Sequence, residues 1–272
     1  MLVMQTRSPL MCLFSGAFVL SAAMLPAHAE DAGKATGKSF VETFDRLDTK
    51  RWYISDGWSN GDHQNCTWSA KQVSVEGGRL KLGFAKQDYK QRHYVCAEVQ
   101  TKERFGYGAF EVRMKALSGS GLNSGFFSFI GPVDKQPHDE IDFEVLGKDP
   151  SKVQINQYVN GKSVGSAKLA PVAGGADQDF HDYAFVWQKD RIAWYVDGKL
   201  VDEATDPAKL PSHASKIFVS VWGTDTLTSW MGAFADPGRP IAAEVKRVAY
   251  TAPGDACQFP ESIVCKLKQG TQ

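Results

Sequence analysis

The sequence predicts an all-β protein built as a sandwich of two antiparallel sheets. Short runs in which apolar and polar residues alternate recur along the chain, and this period of two is typical of half-buried strands. Gly, Asp and Asn stand between the runs, where they favour turns. The pattern contains no long helical period, and Asp206 to Leu210 is expected to form one short turn. Many short strands separated by such turns favour a two-sheet sandwich.

The chain begins with a predicted signal peptide, residues 1–29. Arg7 supplies a weak positive charge, Leu10 to Leu25 is mostly apolar, and the stretch ends at Ala29 in a small-x-small cleavage site. The apolar run is too short and too rich in small residues to predict a membrane span. We therefore expect cleavage near Ala29 and a secreted or periplasmic mature chain without a membrane anchor.

The rest of the chain is divided into a polar, flexible segment (30–37), one β-sandwich domain (38–252) and a C-terminal tail closed by a disulfide (253–272). One domain suffices for a β-sandwich of this length. Hairpin turns are predicted at Glu76-Gly77-Gly78, Gln188-Lys189-Asp190 and Asp197-Gly198. The predicted strands are Val73 to Val75, Leu80 to Phe84, Phe110 to Met114, Phe126 to Ile130, Glu140 to Val145, Val153 to Val159, Tyr183 to Trp187, Ile192 to Val196, Ile217 to Trp222 and Glu244 to Tyr250.

An acidic strand stands at the centre of the sequence. Glu140, Asp142 and Glu144 alternate with three apolar residues, which places the three acids on one face of a strand. The Cα atoms of the two Glu residues would lie roughly 13 Å apart, and their carboxyl groups could approach to about 5 to 6 Å, close to the separation of about 5 to 5.5 Å in retaining glycosidases. The spacing therefore suits glycoside hydrolysis. The alternative is an acidic, solvated strand edge that discourages aggregation.

The segments beside the acidic strand leave two alternatives open. Phe126 to Ile130 is predicted to be a core strand, in preference to a ligand platform. Gln154, Asn156 and Tyr158 share one face of the following strand, which is either solvated or lines the same cleft as the acids. Asn and Tyr suit sugar hydroxyls, since each can both donate and accept hydrogen bonds.

The tryptophans divide between core and loops. Trp187 and Trp194 lie in apolar strands and are predicted to be core residues. Trp58 and Trp230 lie in polar loops, where a ring either binds a sugar or covers the edge of the core.

Charge and cysteine content exclude several classes of protein. Lys plus Arg equals Asp plus Glu, at 31 each, so nucleic acid is not an expected partner. The histidines are scattered and no Cys pair has metal-ligand spacing, so no metal site is predicted. Cys66, Cys96, Cys257 and Cys265 remain after signal cleavage and argue for two disulfides. Three connectivities are possible, and Cys66 with Cys96 and Cys257 with Cys265 is favoured.

An ordered series of motifs resembles a known family. The motifs are Asn65-Cys66-Thr67-Trp68, Cys96-Ala97-Glu98, Gly106-Tyr107-Gly108, His138-Asp139-Glu140-Ile141-Asp142-Phe143-Glu144, Gly147-Lys148-Asp149 and Trp194-Tyr195-Val196-Asp197-Gly198. Together they look like the lichenases (endo-1,3-1,4-β-glucanases) of glycoside hydrolase family 16, from about Phe40 to Tyr250. Within the family, Gly119 to Asn123 and His138 to Asn160 resemble the bacterial glycanases that cleave the exopolysaccharide succinoglycan.

The resemblance implies a fold, a reaction and a set of roles. It implies a concanavalin-like β-jelly-roll of two curved antiparallel sheets, with the acidic strand on the concave face. It further implies retaining hydrolysis of a polysaccharide, with Glu140 as nucleophile, Glu144 as general acid/base and Asp142 as the assisting residue. Neighbouring negative charge would raise the pKa of Glu144. No cofactor is implied for the reaction, and the enzyme is expected to be a monomer.

The resemblance also implies substrate contacts. The positions that match lichenase sugar contacts are Asn60, Glu98, Asn156, Tyr158, Trp222 and Trp230. His138, which stands where lichenases carry Trp, is also expected to contact the substrate. Gln100 stands where they carry Arg, so the cleft is expected to differ in shape. The family's structural calcium site uses an Asp that Lys246 replaces here, which argues against bound calcium. Cys66 and Cys96 match the lichenase disulfide.

Two other functions share this fold. A lectin-like sandwich would bind carbohydrate without cleaving it. Such a protein could tolerate the loss of one acid, so the complete Glu-x-Asp-x-Glu pattern argues against it. A transglycosylase would pass through the same glycosyl-enzyme as a hydrolase, and the sequence does not separate the two.

Overall fold

The computed structural model describes residues 35–165 and 167–269, and the predicted signal peptide lies outside them. Its strands are β1 (Phe40–Glu42), β2 (Trp52–Ile54), β3 (Cys66–Trp68), β4 (Val73–Val75), β5 (Leu80–Tyr89), β6 (Arg92–Thr101), β7 (Gly108–Lys115), β8 (Leu122–Ile130), β9 (Asp139–Leu146), β10 (Lys152–Val159), β11 (Lys162–Ser163), β12 (Lys168–Pro171), β13 (His181–Trp187), β14 (Ile192–Val196), β15 (Lys199–Ala204), β16 (Lys216–Gly223) and β17 (Ile241–Thr251). The helices are α1 (Thr228–Met231), α2 (Ile263–Gln269) and three 3₁₀ turns, Ala70–Gln72, Pro132–Asp134 and Pro207–Lys209.

The strands form two antiparallel sheets. The first has the order β2-β6-β16-β8-β9-β10, and both β11 and β12 pair with β10. The second has the order β15-β14-β13-β7-β17, with β1 and β5 on β17 and β4 on β5. Strand β5 also pairs with β6 and so links the sheets, while β3 runs parallel to β6. The predicted all-β, two-sheet architecture is confirmed.

The core lies between the sheets and is rich in aromatic rings. Phe143 of β9 lies 5.5 Å from Tyr183 of β13, and Phe126 of β8 lies 5.8 Å from Phe185 of β13, measured between ring centroids. Such pairs add packing energy to the burial of their large apolar surfaces. Trp187 and Trp194 are buried as predicted. The apolar face of the acidic strand is therefore fixed against the second sheet.

The sequence pattern does not reveal β6, although this strand lies between β2 and β16 in the first sheet. Its central residues, Val95 to Val99, are all buried, so the strand shows no alternation of apolar and polar residues. All the strands that the sequence predicted are present, and most of them are longer than predicted. The turn expected near Asp206 is the 3₁₀ turn Pro207–Lys209, where Asp206 accepts a hydrogen bond from the backbone N–H of Ala208.

Both favoured disulfides are present. Cys66 is bonded to Cys96, which ties β3 to β6, and Cys257 is bonded to Cys265, which closes the C-terminal tail. The tail is held on the face of β7 directed away from the core, because Glu111 accepts hydrogen bonds from Ser262 Oγ at 2.6 Å and from the backbone N–H of Ile263 at 2.8 Å.

The N-terminal end of the described chain is also attached to the domain. The backbone N–H groups of Thr36 and Gly37 both donate to the carbonyl oxygen of Arg104 at 2.9 Å. In the part of the chain that the structure describes, no helix has the length and apolar character needed to cross a membrane.

Candidate active site

The three acids of β9 line one cleft. Ile141, Phe143 and Val145 are fully buried in the core, so strand alternation turns the carboxyl groups of Glu140, Asp142 and Glu144 to the opposite face. That face is the floor of a cleft of about 1030 Å³ that crosses β6, β16, β8 and β9. The alternative of a solvated strand edge is excluded, because β9 lies between β8 and β10.

The polar face of β10 lies beside the three acids of β9. Gln154, Asn156 and Tyr158 lie opposite Glu144, Asp142 and Glu140, respectively, in the antiparallel register. Gln154 and Asn156 are buried, and Asn156 accepts a hydrogen bond from Ser163 Oγ at 3.2 Å. Gln154 and Asn156 are therefore not solvated, and the three residues lie beside the acids in the sheet, but none of them is among the side chains that line the cleft.

Glu140 is held by a histidine. His138 Nε2 lies 2.6 Å from Glu140 Oε2, and the imidazole stacks on the Tyr158 ring with centroids 5.1 Å apart. The hydrogen bond to Glu140 raises the pKa of His138, while partial burial opposes the rise. A protonated His138 would donate a charge-assisted hydrogen bond to one oxygen of Glu140.

Glu144 has a different environment. Burial, followed by the negative charge of Glu140, raises the pKa of Glu144 to about 8. The sequence predicted that neighbouring negative charge would raise the pKa of Glu144. The direction is confirmed, but burial is the larger cause. The side-chain amide of Asn123 donates to Glu144 Oε1 at 2.9 Å, which partly opposes the rise. At neutral pH, Glu144 therefore holds a proton that it can donate.

Asp142 lies between the two glutamates and is also buried. Burial, then the charges of Glu140 and Glu144, and a hydrogen bond to Glu140 raise the pKa of Asp142 well above its usual range. A protonated Asp142 can donate its hydrogen to Glu140. The same three carboxyl groups, after burial, help to raise the pKa of Tyr158 to about 12, so its hydroxyl keeps its hydrogen.

Glu98 is a fourth acid in the cleft, on β6, and it is buried. Burial raises the pKa of Glu98 to about 7, and hydrogen bonds from Ser55 and Gln100 partly offset the rise. Ser55 Oγ donates to Glu98 Oε1 at 2.6 Å. Glu98 and Gln100 both line the cleft, and Asn60 lies exposed at its rim. These residues can present both donors and acceptors to a polar ligand.

Aromatic side chains form much of the cleft wall. Trp58 is 40% exposed and lines the cleft, as does Trp222. Trp230 lies behind Trp222, with ring centroids 6.0 Å apart, and its Nε1 donates to Gln154 Oε1 at 2.9 Å. Trp230 thus lines a smaller neighbouring groove with Gln154.

The prediction that Phe126 to Ile130 is a core strand holds for only one of its faces. Phe126 is buried between the sheets, but Phe127 and Phe129 point into the cleft. The Phe127 ring stacks on Phe218 of β16 at 4.9 Å, and Phe129 lies 5.0 Å from His138. The run of apolar residues concealed this division, because the cleft wall beside the acids is itself apolar.

Sequence reasoning missed Asn123 as a site residue. Asn123 is the second residue of β8 and is fully buried, and its Cα pairs with that of Leu146 on β9. It lies at the end of the glycine-rich segment Gly119 to Asn123, and the sequence pattern assigned it no role. Only the register of β8 against β9 brings its amide to Glu144.

No three His, Cys, Asp or Glu side chains in residues 35–165 and 167–269 are grouped so that they could hold a metal ion. At the position that the family resemblance assigns to a calcium ligand, the ammonium of Lys246 lies 4.1 Å from the centroid of the Phe180 ring. A cation there does not fit a calcium site, which requires oxygen ligands.

Comparison with known proteins agrees with this architecture. Residues 60–236 match the family model of glycosyl hydrolases family 16. The chain is 60% identical to endo-1,3-1,4-beta-glycanase ExoK of Rhizobium meliloti (strain 1021) over 232 residues, which cover 85% of this chain and 86% of that protein. It is 38% identical to the beta-glucanase of Bacillus licheniformis over 249 residues, which cover 91% of this chain and 98% of that one.

Solved structures show the same fold. A Bacillus licheniformis beta-glucanase structure superposes with a TM-score of 0.75 at 38% identity and covers 80% of this chain and 99% of its own. A beta-1,3-1,4-glucanase (lichenase) from a mouse hindgut metagenome gives the same score and identity, with 79% and 99% covered. The predicted jelly-roll is thereby confirmed. Because the family model spans most of the chain and the relatives match over nearly their full lengths, this protein is a glycoside hydrolase and belongs to glycosyl hydrolases family 16.

Proposed function

We propose that the protein is an endo-1,3-1,4-β-glycanase that cleaves its polysaccharide by double displacement with retention of anomeric configuration. The observation that carries the proposal is the contrast between two carboxyl groups on one face of β9. Glu140 is hydrogen-bonded to His138, whereas burial and the charge of Glu140 raise the pKa of Glu144 to about 8. One group suits a nucleophile and the other suits an acid.

In the first step, Glu140 attacks the anomeric carbon while Glu144 donates its proton to the glycosidic oxygen. The bond between that carbon and the leaving oxygen breaks, and a glycosyl ester of Glu140 forms. Asp142, held protonated by burial and by its charged neighbours, donates a hydrogen bond to Glu140 and limits the repulsion among the three acids. Carboxyl groups alone carry out the chemistry.

In the second step, water completes the reaction. Esterification removes the charge of Glu140, which is one cause of the raised pKa of Glu144. Glu144, now ionised, takes a proton from the attacking water, and the ester bond to Glu140 breaks. The product keeps its original anomeric configuration, and both glutamates return to their starting states.

The proposed substrate is an uncharged or weakly charged β-glycan, either a bacterial exopolysaccharide of the succinoglycan type or a mixed-linkage glucan. Support comes from identity, which is 60% to a Rhizobium meliloti endo-1,3-1,4-beta-glycanase and 38% to a Bacillus beta-glucanase. Further support comes from His138 and Gln100, which give the cleft a shape different from that expected of a lichenase. The proposed substrate contacts are Asn60, Glu98, His138, Asn156, Tyr158, Trp222 and Trp230.

We further propose that the enzyme acts as an unanchored monomer outside the cytoplasm, after removal of residues 1–29. The two disulfides support an oxidising compartment. Sizing of the mature protein and N-terminal sequencing of the exported form test these two points.

A substrate panel tests the function directly. The mature protein is incubated with succinoglycan, lichenan, laminarin and xyloglucan, and products are identified by mass. We expect shorter oligosaccharides from succinoglycan or lichenan, and loss of that activity in folded Glu140→Gln and Glu144→Gln variants. Binding without any rise in reducing ends would favour a lectin. When an oligosaccharide acceptor is added to the reaction, products longer than that acceptor would favour a transglycosylase. Either result would contradict the proposal.

A further inference from the structure

Asn123 is a fully buried amide that contacts Glu144. Its Nδ2 donates to Glu144 Oε1 at 2.9 Å, and its side chain has no exposure to solvent. Its Cα lies between Trp222 of β16 and Leu146 of β9 in the sheet register. The neighbours on both sides belong to the first sheet, so the amide is held in place by two hydrogen-bonded strands.

The amide is poorly explained by stability. Asn123 Oδ1 is buried without a hydrogen-bond partner, as is Asp142 Oδ2 nearby on β9. A buried polar atom without a partner destabilises the folded state, and an apolar side chain of the same shape would avoid that penalty. The contact with Glu144 is the hydrogen bond that offsets part of this penalty.

We propose that Asn123 is a positioning residue that reserves one oxygen of Glu144 for the proton transfer. This inference rests on the proposed role of Glu144 as general acid/base. The Nδ2 group only donates hydrogen bonds, so the oxygen that it contacts, Oε1, acts as an acceptor. The hydrogen that Glu144 donates in the first step then lies on Oε2, and Oε2 is also the oxygen that accepts the proton of water in the second step.

The contact also assists the transfer itself. When the proton leaves Oε2 for the glycosidic oxygen, Glu144 becomes a buried carboxylate, and the amide hydrogen bond stabilises that charge. A fixed donor aimed at developing charge lowers the barrier without reorganisation during the reaction. Asn123 thus favours the ionised product of the acid step, whereas burial and Glu140 favour the protonated reactant.

The groups that face Glu144 belong to four elements. Glu140 and Asp142 lie on β9 itself, Gln154 lies opposite on β10, and Asn123 contributes from β8. The Trp222 ring lines the cleft from β16. Asn123 is the only one of these whose side chain is recorded as hydrogen-bonded to Glu144 in the described part of the chain.

Asn123→Leu tests the proposal, because leucine has nearly the shape of asparagine and no donor. The readout is kcat/KM, which reports the first chemical step, on two substrates that differ in leaving group. Cleavage of the glycan needs a general acid to protonate the leaving oxygen, whereas cleavage of a 2,4-dinitrophenyl β-oligoglycoside does not. We expect roughly a ten-fold loss on the glycan, in line with partial loss of general acid catalysis, and a change of less than about two-fold on the aryl glycoside. The basic limb of the pH profile should move to higher pH, since Asn123 lowers the pKa of Glu144.

A matched control is Asn65→Leu, which removes another buried amide, one bonded to Asp225 at 2.6 Å. It should lower thermal stability without any dependence on the leaving group. Equal losses on both substrates in Asn123→Leu, or no loss on either, would overturn the inference.

Glu144→Ala separates this inference from the proposed function. It should itself show strong leaving-group dependence and rescue of the aryl glycoside reaction by azide. If Glu144→Ala shows neither, the role of Glu144 is wrong. If it shows both while Asn123→Leu does not discriminate between substrates, the positioning role of Asn123 alone is wrong.

Discussion

His138 Nε2 lies 2.6 Å from Glu140 Oε2, so the cleft residue that departs from the lichenase pattern is bonded directly to the proposed nucleophile. The sequence placed His138 among the substrate contacts, and the structure gives it a second partner. The same ring stacks on Tyr158 and lies near Phe129. The proposed role of His138 in substrate choice and its contact with Glu140 therefore belong to one side chain, and substitutions can separate them.

His138→Phe keeps the ring contacts and removes the hydrogen bond. We expect kcat to fall by roughly ten-fold or more, the loss of one charge-assisted hydrogen bond, with little change in KM. His138→Gln, which retains a donor, should recover part of the rate. An unchanged kcat in His138→Phe would show that the contact with Glu140 has no catalytic effect.

The buried Glu144 should make the protein less stable as pH rises. The folded-state pKa of about 8 exceeds the ordinary value of 4.5, so between these values the folded state binds more protons than the unfolded state. The free energy of unfolding therefore falls with rising pH across this window. Glu144→Gln removes the effect and should raise stability at pH 7 relative to wild type, by up to about 3 kcal/mol.

Urea unfolding at pH 5 and pH 8 measures this difference. Glu76→Gln, which changes an exposed carboxyl in the hairpin turn between β4 and β5, is the control and should follow the wild-type pH dependence. Parallel curves for Glu144→Gln and wild type would contradict the raised pKa.

Trp222 is expected to bind substrate through its ring. It lines the cleft, with the His63 ring 5.7 Å away on one side and the Trp230 ring 6.0 Å away on the other. Trp222→Ala should raise KM by about ten-fold, the loss expected of one aromatic contact, with a smaller effect on kcat. Trp194→Ala is the contrasting variant, since that ring is core, and it should lower thermal stability. A fall in kcat alone in Trp222→Ala would argue against a binding role.

The C-terminal tail is predicted to stabilise the domain without taking part in catalysis. Glu111, on the outer face of β7, is buried by the tail and accepts hydrogen bonds from Ser262 and Ile263. Cys257→Ser with Cys265→Ser opens the tail and should lower the free energy of unfolding by about 2 kcal/mol, as for a disulfide that closes a short loop. Thermal unfolding and kcat/KM are measured together, and a changed kcat/KM below the melting temperature would contradict the prediction.

Period-two alternation is a local pattern, so it predicted that the three acids share one face of a strand and that strands precede and follow this one in the chain. The same method failed at β6, where residues from Val95 to Val99 are buried on both faces and show no alternation. It also placed Phe127 and Phe129 in the core, since an apolar cleft wall and a core strand have the same composition. The contact between Asn123 and Glu144 depends on the register of β8 against β9, which no local pattern specifies.

The central claim, double displacement through Glu140 and Glu144, is tested most directly by the anomeric configuration of the first product. Proton NMR of the reducing end, recorded within the first turnovers and before mutarotation, distinguishes the two possible anomers. Retention predicts that the β-anomer forms first and that the α-anomer appears only as mutarotation proceeds. Initial formation of the α-anomer would show inversion, and Glu140 would then not be a nucleophile.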